Sequence, residues 1–473
     1  MKVIRFTSFT FVFIFLVSGV FAQVDSCHIR FYIEGINAGK VKLIGSFADQ
    51  NYLADSTVAD KSGYFEFKRK SPLKPGYFFV ILPDYSNIHF MIDHNDQFMT
   101  VRTKKSDLYN SAKVEGSINT ELLYQSIRMQ VKQESLLDSL NKTLSGRLPN
   151  DPIYISSKAE IQKLADERNE HINFIKRNHP KEFYTKFKLA GQNPEIVDVR
   201  KLNGDLDTLG QMNLFREQFW DNFDFKDERL LYTPVIVNKL KMHIVDLTVQ
   251  HPDSIIRQAD IIVKKSLVNY EMFKFVSNWL VIKYQPTKTK VMDGEAVFVH
   301  VIDKYFTKEY ATWYNDKELA DVRKKADEMK ASLLNRIGPD VISIGPNGET
   351  RSIYEIKSPY IIVYMYDTKC EHCQAETPLL RKWHDEWKSK GVEVFAILLN
   401  SSEQEWKDFM VQNRMEVFSN VRDPSNRSIY GKYYVDITPE LYVLNPERKI
   451  IGKNLKVEQI TTVIERDMKI NRK

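Results

Sequence analysis

Cysteine is scarce in this chain, with three in 473 residues. That excludes a fold stapled by a disulfide framework. Charge of one sign is lacking too: 68 Lys and Arg against 62 Asp and Glu leave a formal +6. Lys2 and Arg5 account for two of those positives, and the first 22 residues hold no acid, so a chain that sheds them carries about +4. Near neutrality at this length gives no electrostatic footprint for a nucleic-acid partner. No phosphate-cradling GxxxxGK[ST] loop occurs. Beyond the N-terminus, no apolar run reaches the ~18 residues of a membrane span. No fixed-period repeat and no low-complexity tract stands out. Hydrophobic residues at 43% and charged residues at 27% are ordinary for globular protein. The length predicts two to four domains.

Residues 1–22 have a basic start, a short apolar run from Phe11 to Val17, a break at Ser18-Gly19, and Val20-Phe21-Ala22 as a small-residue cleavage site. This pattern predicts a secretory signal peptide and a location in the periplasm or cell envelope. Val24-Asp25-Ser26-Cys27 loosely resembles a lipobox, which makes a lipoprotein anchored through Cys27 an alternative. Disulfides persist in such a compartment, so a chain that keeps few cysteines there has a use for them.

Three regions follow. Residues 23–115 carry short alternating runs, such as Phe31-Tyr32-Ile33 and Phe65-Glu66-Phe67, separated by Gly, Pro, Asn and Asp turns. They predict a small antiparallel β domain. Over 116–335 glycine becomes rare and the apolar spacing turns helical, which predicts an all-α middle domain with helices near 229–249, 254–265, 268–284 and 316–335. Over 336–473 the order is a hairpin, the buried strand Tyr360–Tyr366, a helix, a second buried strand at 392–399, a helix, a hairpin and a closing helix. That order predicts an α/β sandwich.

Cys370-Glu371-His372-Cys373 sits where strand 360–366 gives way to a helix. A helix N-terminus presents unpaired N–H groups and a positive dipole end, which stabilise a thiolate. Cys370 is therefore the attacking sulfur. Cys373, one turn on and more buried, resolves the mixed disulfide. Lys369, Glu371 and His372 tune the pair by their charge. Other readings of two cysteines are disfavoured. Zinc needs four ligands and there is no second pair. Haem attachment needs His after the second Cys, where Gln374 stands. A structural disulfide across two residues constrains the unfolded chain little.

These residues resemble the thioredoxin superfamily, and most closely the extracytoplasmic TlpA/ResA-like thiol-disulfide oxidoreductases. The resemblance rests on the strand ending at Tyr366, the cysteine pair, Glu376 and Pro378 after it, Thr438-Pro439 before a strand, and Asn445-Pro446-Glu447 at the last hairpin. It covers about 336–473 and implies a thioredoxin-like sandwich. It also implies a cis proline at Pro439, with Thr438 exposing its backbone to a substrate, and Glu376 handling protons for the buried thiol. Lys369 departs from the family's usual Trp. More weakly, the whole chain resembles Gram-negative envelope proteins in which a β domain and a helical segment precede such a domain.

The expected function is exchange of electrons with protein thiols and disulfides, with no metal or organic cofactor and a redox partner that resets the pair. Membrane contact is expected only through an N-terminal anchor. A thiol peroxidase is disfavoured because Asp367 stands three residues before Cys370, where that family places Thr. A binding protein with a vestigial domain is the non-enzymatic alternative. His89, Asp93 and His94 read as a strand edge and turn rather than metal ligands. Trp220, Phe223, Phe273 and Trp279 read as helical core.

Overall fold

The computed structural model describes residues 26–471 apart from 287, 424 and 426–430. The leader expected over 1–22 lies outside them. Among the described residues, no helix is long and apolar enough to cross a membrane. The chain forms two compact units, one of residues up to 192 with 229–236, the other of 193–228 with 237 onward.

In the first unit the strands are β1 (Cys27–Glu34), β2 (Gly39–Phe47), β3 (Gln50–Ala59), β4 (Tyr64–Arg69), β5 (Gly76–Ile81), β6 (Asn87–Ile92), β7 (Phe98–Lys104) and β8 (Lys113–Glu115). They build two four-stranded sheets, ordered β4-β1-β7-β8 and β3-β2-β5-β6. Every pairing is antiparallel except β1 with β7. Alternation buries Cys27, Ile29, Phe31 and Ile33 on one face of β1. Phe31 stacks on Phe65 of its own sheet at 5.0 Å and meets Phe90 of the other edge-on at 5.7 Å. The sequence pattern missed β3, whose residues are mostly polar and solvent-facing.

Cys27 is buried in this core, and burial pushes its thiol up to about 11 against a hydrogen bond with Leu73 and the Arg69 charge. His89 packs between the rings of Tyr77 and Phe79. Asp93 pairs with Arg229 at 2.7 Å.

Helices α1 (Ile118–Leu144), α2 (Pro152–Asn178) and α3 (Phe183–Ala190) belong to this unit. Of the helical region expected over 116–335, the part up to residue 192 thus lies in this unit. The reason is polar as well as apolar. Strand β6 is a sheet edge, and α1 covers it: the Thr120 hydroxyl donates to the Met91 carbonyl at 2.9 Å and accepts the Met91 N–H at 3.2 Å. Asn119 binds Asp96 and, through its carbonyl oxygen, the Tyr184 N–H.

The second unit opens with helices α4 (Thr208–Gln218), α5 (Val235–Lys241, beginning in the first unit), α6 (Pro252–Ser266), α7 (Tyr270–Tyr284), α8 (Gly294–Tyr305) and α9 (Asp316–Lys330). The helix expected over 229–249 is instead a 3-10 turn, α5 and a π turn at Met242–Asp246. Sequence spacing missed α8. Trp220, Phe223 and Phe273 are buried, while Trp279 is half-buried.

The rest of the unit is a seven-stranded sheet of β9 (Ile342–Ile344), β10 (Thr350–Ser352), β11 (Tyr360–Tyr366), β12 (Val392–Leu398), β13 (Ser419–Arg422), β14 (Glu440–Leu444) and β15 (Ile450–Gly452), ordered β10-β9-β13-β12-β11-β14-β15. Helices α10 (Glu371–Trp387), α11 (Glu403–Gln412) and α12 (Val457–Asn471) accompany it. Central β11 runs parallel to β12 and antiparallel to β14, and all seven of its residues are buried. Cores lie on both faces of the sheet. This is the α/β sandwich that the sequence predicts, with β13 as an unanticipated strand.

The covered edge of β6 gives a testable consequence. Thr120→Val leaves two buried backbone groups of Met91 without partners, at about 1–3 kcal/mol each. Urea unfolding followed in the first unit should show a loss of roughly 2–4 kcal/mol, and Thr120→Ser should recover most of it.

Candidate functional site

Strand β11 delivers the chain to the site. At its end the Asp367 carboxylate accepts the Lys369 N–H at 2.8 Å and the Ser401 hydroxyl at 3.3 Å, which shapes the turn into α10. Cys370 then caps the helix. Its sulfur accepts the Cys373 N–H at 3.3 Å, the place a Ser or Asp oxygen takes in an ordinary cap. From the other side Cys370 donates to the Thr438 carbonyl at 3.2 Å. The Thr438–Pro439 bond is cis. Pro378 lies inside α10.

The two sulfurs differ as chemistry requires. Burial raises the Cys370 thiol, but hydrogen bonds with Cys373, with Thr438 and with the backbone at Cys373 and His372 outweigh it, so its pKa falls below 9.0. Cys373 is fully buried, and burial first, then the neighbouring Cys370, push it up to about 12. Tyr364 and Thr377 share a hydrogen bond at 2.7 Å, and Thr377 donates to the Cys373 carbonyl.

The charged residues around the pair divide. Lys369 turns to Glu405 at 3.0 Å, so its charge is partly answered away from the sulfur. Glu371 and His372 are exposed. Glu376 is half-buried, and its carboxylate accepts the Val457 N–H at 3.3 Å, at the start of α12. A cavity of about 380 Å³ opens beside the pair, and His372, Glu376, Thr438 and Pro439 line it. The structure thus brings Cys370, Cys373, Glu376, His372, Thr438 and Pro439 together, and leaves Lys369 and Glu371 at the margin. A larger cleft of about 610 Å³, with Ser126, His171 and Lys188 in its lining, lies in the first unit and contains no cysteine. The cysteine chemistry, rather than size, identifies the site.

Among the residues of this cavity that sequence reading missed are Tyr364, Glu295 and Glu440. Glu440 had a signal, being an acid at the head of the otherwise apolar strand Glu440–Leu444. Burial pushes its carboxyl up to about 8, with Lys453 opposing and Glu295 adding to the rise. Among the described residues, no group of three or more His, Cys, Asp or Glu is placed to hold a metal ion.

Comparison with known proteins gives three matched regions. Residues 322–453 match the AhpC/TSA family. Residues 27–123 and 161–332 match two domains of unknown function, DUF4369 and DUF5106. Thiol-disulfide oxidoreductase ResA of Bacillus subtilis is 26% identical over 113 residues, which are 24% of this chain and 62% of that protein. ResA of Bacillus cereus is 23% identical over 144 residues, 30% of this chain and 75% of that protein. A solved domain of a possible thiol-disulfide isomerase from Cytophaga hutchinsonii is 29% identical, covering 30% of this chain and 97% of its own at a TM-score of 0.28. A thioredoxin-like protein from Bacteroides caccae, 15% identical, covers 58% of this chain and 99% of its own at a TM-score of 0.45. The C-terminal part of this chain is a thioredoxin-like domain.

Two outcomes are expected. In the reduced protein at pH 7, iodoacetamide should label Cys370 well before Cys373 or Cys27, because only the first thiol is lowered while the others rise to about 12 and about 11; mass spectrometry of timed samples reads the order. The second outcome concerns Glu440. A carboxyl raised to about 8 favours the folded state fully below its ordinary 4.5 and loses that contribution as pH rises through 8. Glu440→Gln cannot ionise, so its stability relative to the parent should rise between pH 5 and pH 8 in urea titrations.

Proposed function

We infer that this chain is an extracytoplasmic thiol-disulfide oxidoreductase acting on protein thiols and disulfides. One observation carries the reading. Cys370 caps α10 with a lowered pKa and faces the Thr438 carbonyl, while Cys373 one turn on is buried with a raised pKa. That asymmetry suits two successive displacements. The Cys370 thiolate attacks a substrate disulfide, forms a mixed disulfide and expels one substrate thiolate. Cys373 then gives up its proton and attacks the Cys370 sulfur. The 370–373 bond forms, the second substrate thiolate leaves, and two electrons have passed to the substrate. A partner dithiol or disulfide restores the pair, so the reaction runs in the direction its potential dictates. Glu376, in the shared cavity, is the group proposed to take the Cys373 proton.

The names of the relatives support the chemistry. The basic and apolar N-terminus supports export to the periplasm or envelope. The regions over 23–115 and 116–335 are proposed as positioning or partner-recognition modules. Disulfide exchange is preferred to peroxide reduction because Asp367 offers no hydroxyl three residues ahead of Cys370.

Cys370→Ser should abolish exchange with an oxidised or reduced protein substrate, and Cys373→Ser should accumulate a mixed disulfide visible on non-reducing gels. Exchange that survives in Cys370→Ser defeats the assignment. Equilibration of the parent with glutathione then sets the direction: about −270 mV or below marks a reductase, and a value near −120 mV an oxidant.

A further inference from the structure

Behind the cis proline lies a group of buried charges that the exchange reaction does not use. Lys453, in the turn after β15, is fully buried. Its ammonium lies 3.3 Å from the Asp293 carboxylate and 3.6 Å from that of Glu295. Glu440 completes the set from the head of β14. Three carboxyl groups and one ammonium, each at least nine-tenths buried, share one region of the protein. Asp293 and Glu295 are not part of the thioredoxin-like domain. They stand at the start of α8, within the region matching a domain of unknown function.

The hydrogen bonds in this group form a continuous route. Glu295 accepts from the Asn454 side-chain amide at 2.9 Å. The Asn454 backbone N–H donates to Glu440 at 3.0 Å. Glu440 directly follows Pro439, and the Thr438 carbonyl accepts from Cys370 at 3.2 Å. Asp293 is held in turn by the Leu334 N–H at 2.9 Å. Asn454 sits at a φ of +53°, where its short side chain can reach across. Burying ions is expensive unless they are paired and hydrogen-bonded, so a route built this way keeps its geometry.

We propose that Glu295 is a positioning residue for the redox pair: through Asn454 and Glu440 it sets the Thr438–Pro439 segment against Cys370, so the helical region tunes the attacking thiol without touching it. This rests on the proposed exchange activity and deepens it. The carboxylate does not reach substrate, and its effect is on how firmly the Thr438 carbonyl accepts the Cys370 thiol proton. Cys373 and the charged residues flanking the pair, namely Asp367, Lys369, Glu371, His372 and Glu376, are not part of the route.

Asn454→Gly tests it most cleanly. Glycine tolerates the positive φ and keeps the backbone N–H to Glu440, but removes the link to Glu295. The readout is the pH dependence of Cys370 alkylation in full-length reduced protein, alongside the glutathione equilibrium of the 370–373 pair. A Thr438 carbonyl that no longer accepts the Cys370 proton no longer favours the neutral thiol, so the midpoint should fall by about half a unit, alkylation at pH 7 should quicken about threefold, and the glutathione equilibrium should move about threefold toward the dithiol, since a more favoured thiolate makes the pair less reducing. Glu295→Ala should repeat this, and Glu295→Gln, which keeps an acceptor for Asn454, should titrate like the parent. Unchanged midpoints and equilibria in folded Asn454→Gly and Glu295→Ala overturn the proposal, as does a Glu295→Gln shift as large as that of Glu295→Ala. A parent protein that fails to exchange with glutathione counts against the proposed function instead, and the alkylation profile still decides the positioning role.

Discussion

The unpaired amides at the start of α10 set the terms for the rest of the site. A helix beginning at the end of a fully buried central strand has N–H groups that need an acceptor, and Cys370 supplies it as sulfur. The same bond that ends an orphaned donor stabilises a thiolate. A capping interaction is worth about 1 kcal/mol, modest for stability, yet one pKa unit is a tenfold change in thiolate. The fold thus spends a small structural term where it has a large chemical effect. The Thr438 carbonyl, brought up by β14 pairing with β11, closes the other side.

Burial then separates the two sulfurs. Cys373 lies one turn further, inside the core that Tyr364 and Tyr366 of β11 form with Leu380. Removing it from water penalises its thiolate, while Cys370 at the margin keeps enough hydrogen bonds to favour its own. One helix turn therefore gives two thiols of opposite acidity from the same residue type. The buried charges behind Pro439 follow the same physics. There burial first, and then a neighbouring carboxylate that the single ammonium does not offset, drive Glu440 toward its protonated form.

Much of this was legible in the residues. An unbroken apolar run announces β11, because a strand covered on both faces has no solvent side to mark. The cysteine spacing places both sulfurs on one turn. Strands β3 and β13 were not legible, since their mostly polar or half-buried residues carry weak alternation and are held by pairing with β2 and β12. The π turn at Met242–Asp246 was hidden too, because helical periodicity does not distinguish it from an α-helix. Lys369 illustrates a third kind of miss: adjacency in sequence suggested a charge on the thiol, and the side chain goes to Glu405 instead.

By itself the sequence determined the layered order of the C-terminal domain and the placing of two cysteines at a helix start, since hydrophobic period and helix-terminus chemistry are local properties. Only tertiary structure decided where the helical region divides, that Cys27 points inward, and that Glu295, Asn454 and Glu440 meet behind Pro439. Those outcomes depend on which distant groups satisfy one another once water is excluded. No local pattern encodes that pairing, because an acid on a helix and a lysine in a turn look like solvated surface until the fold buries them together.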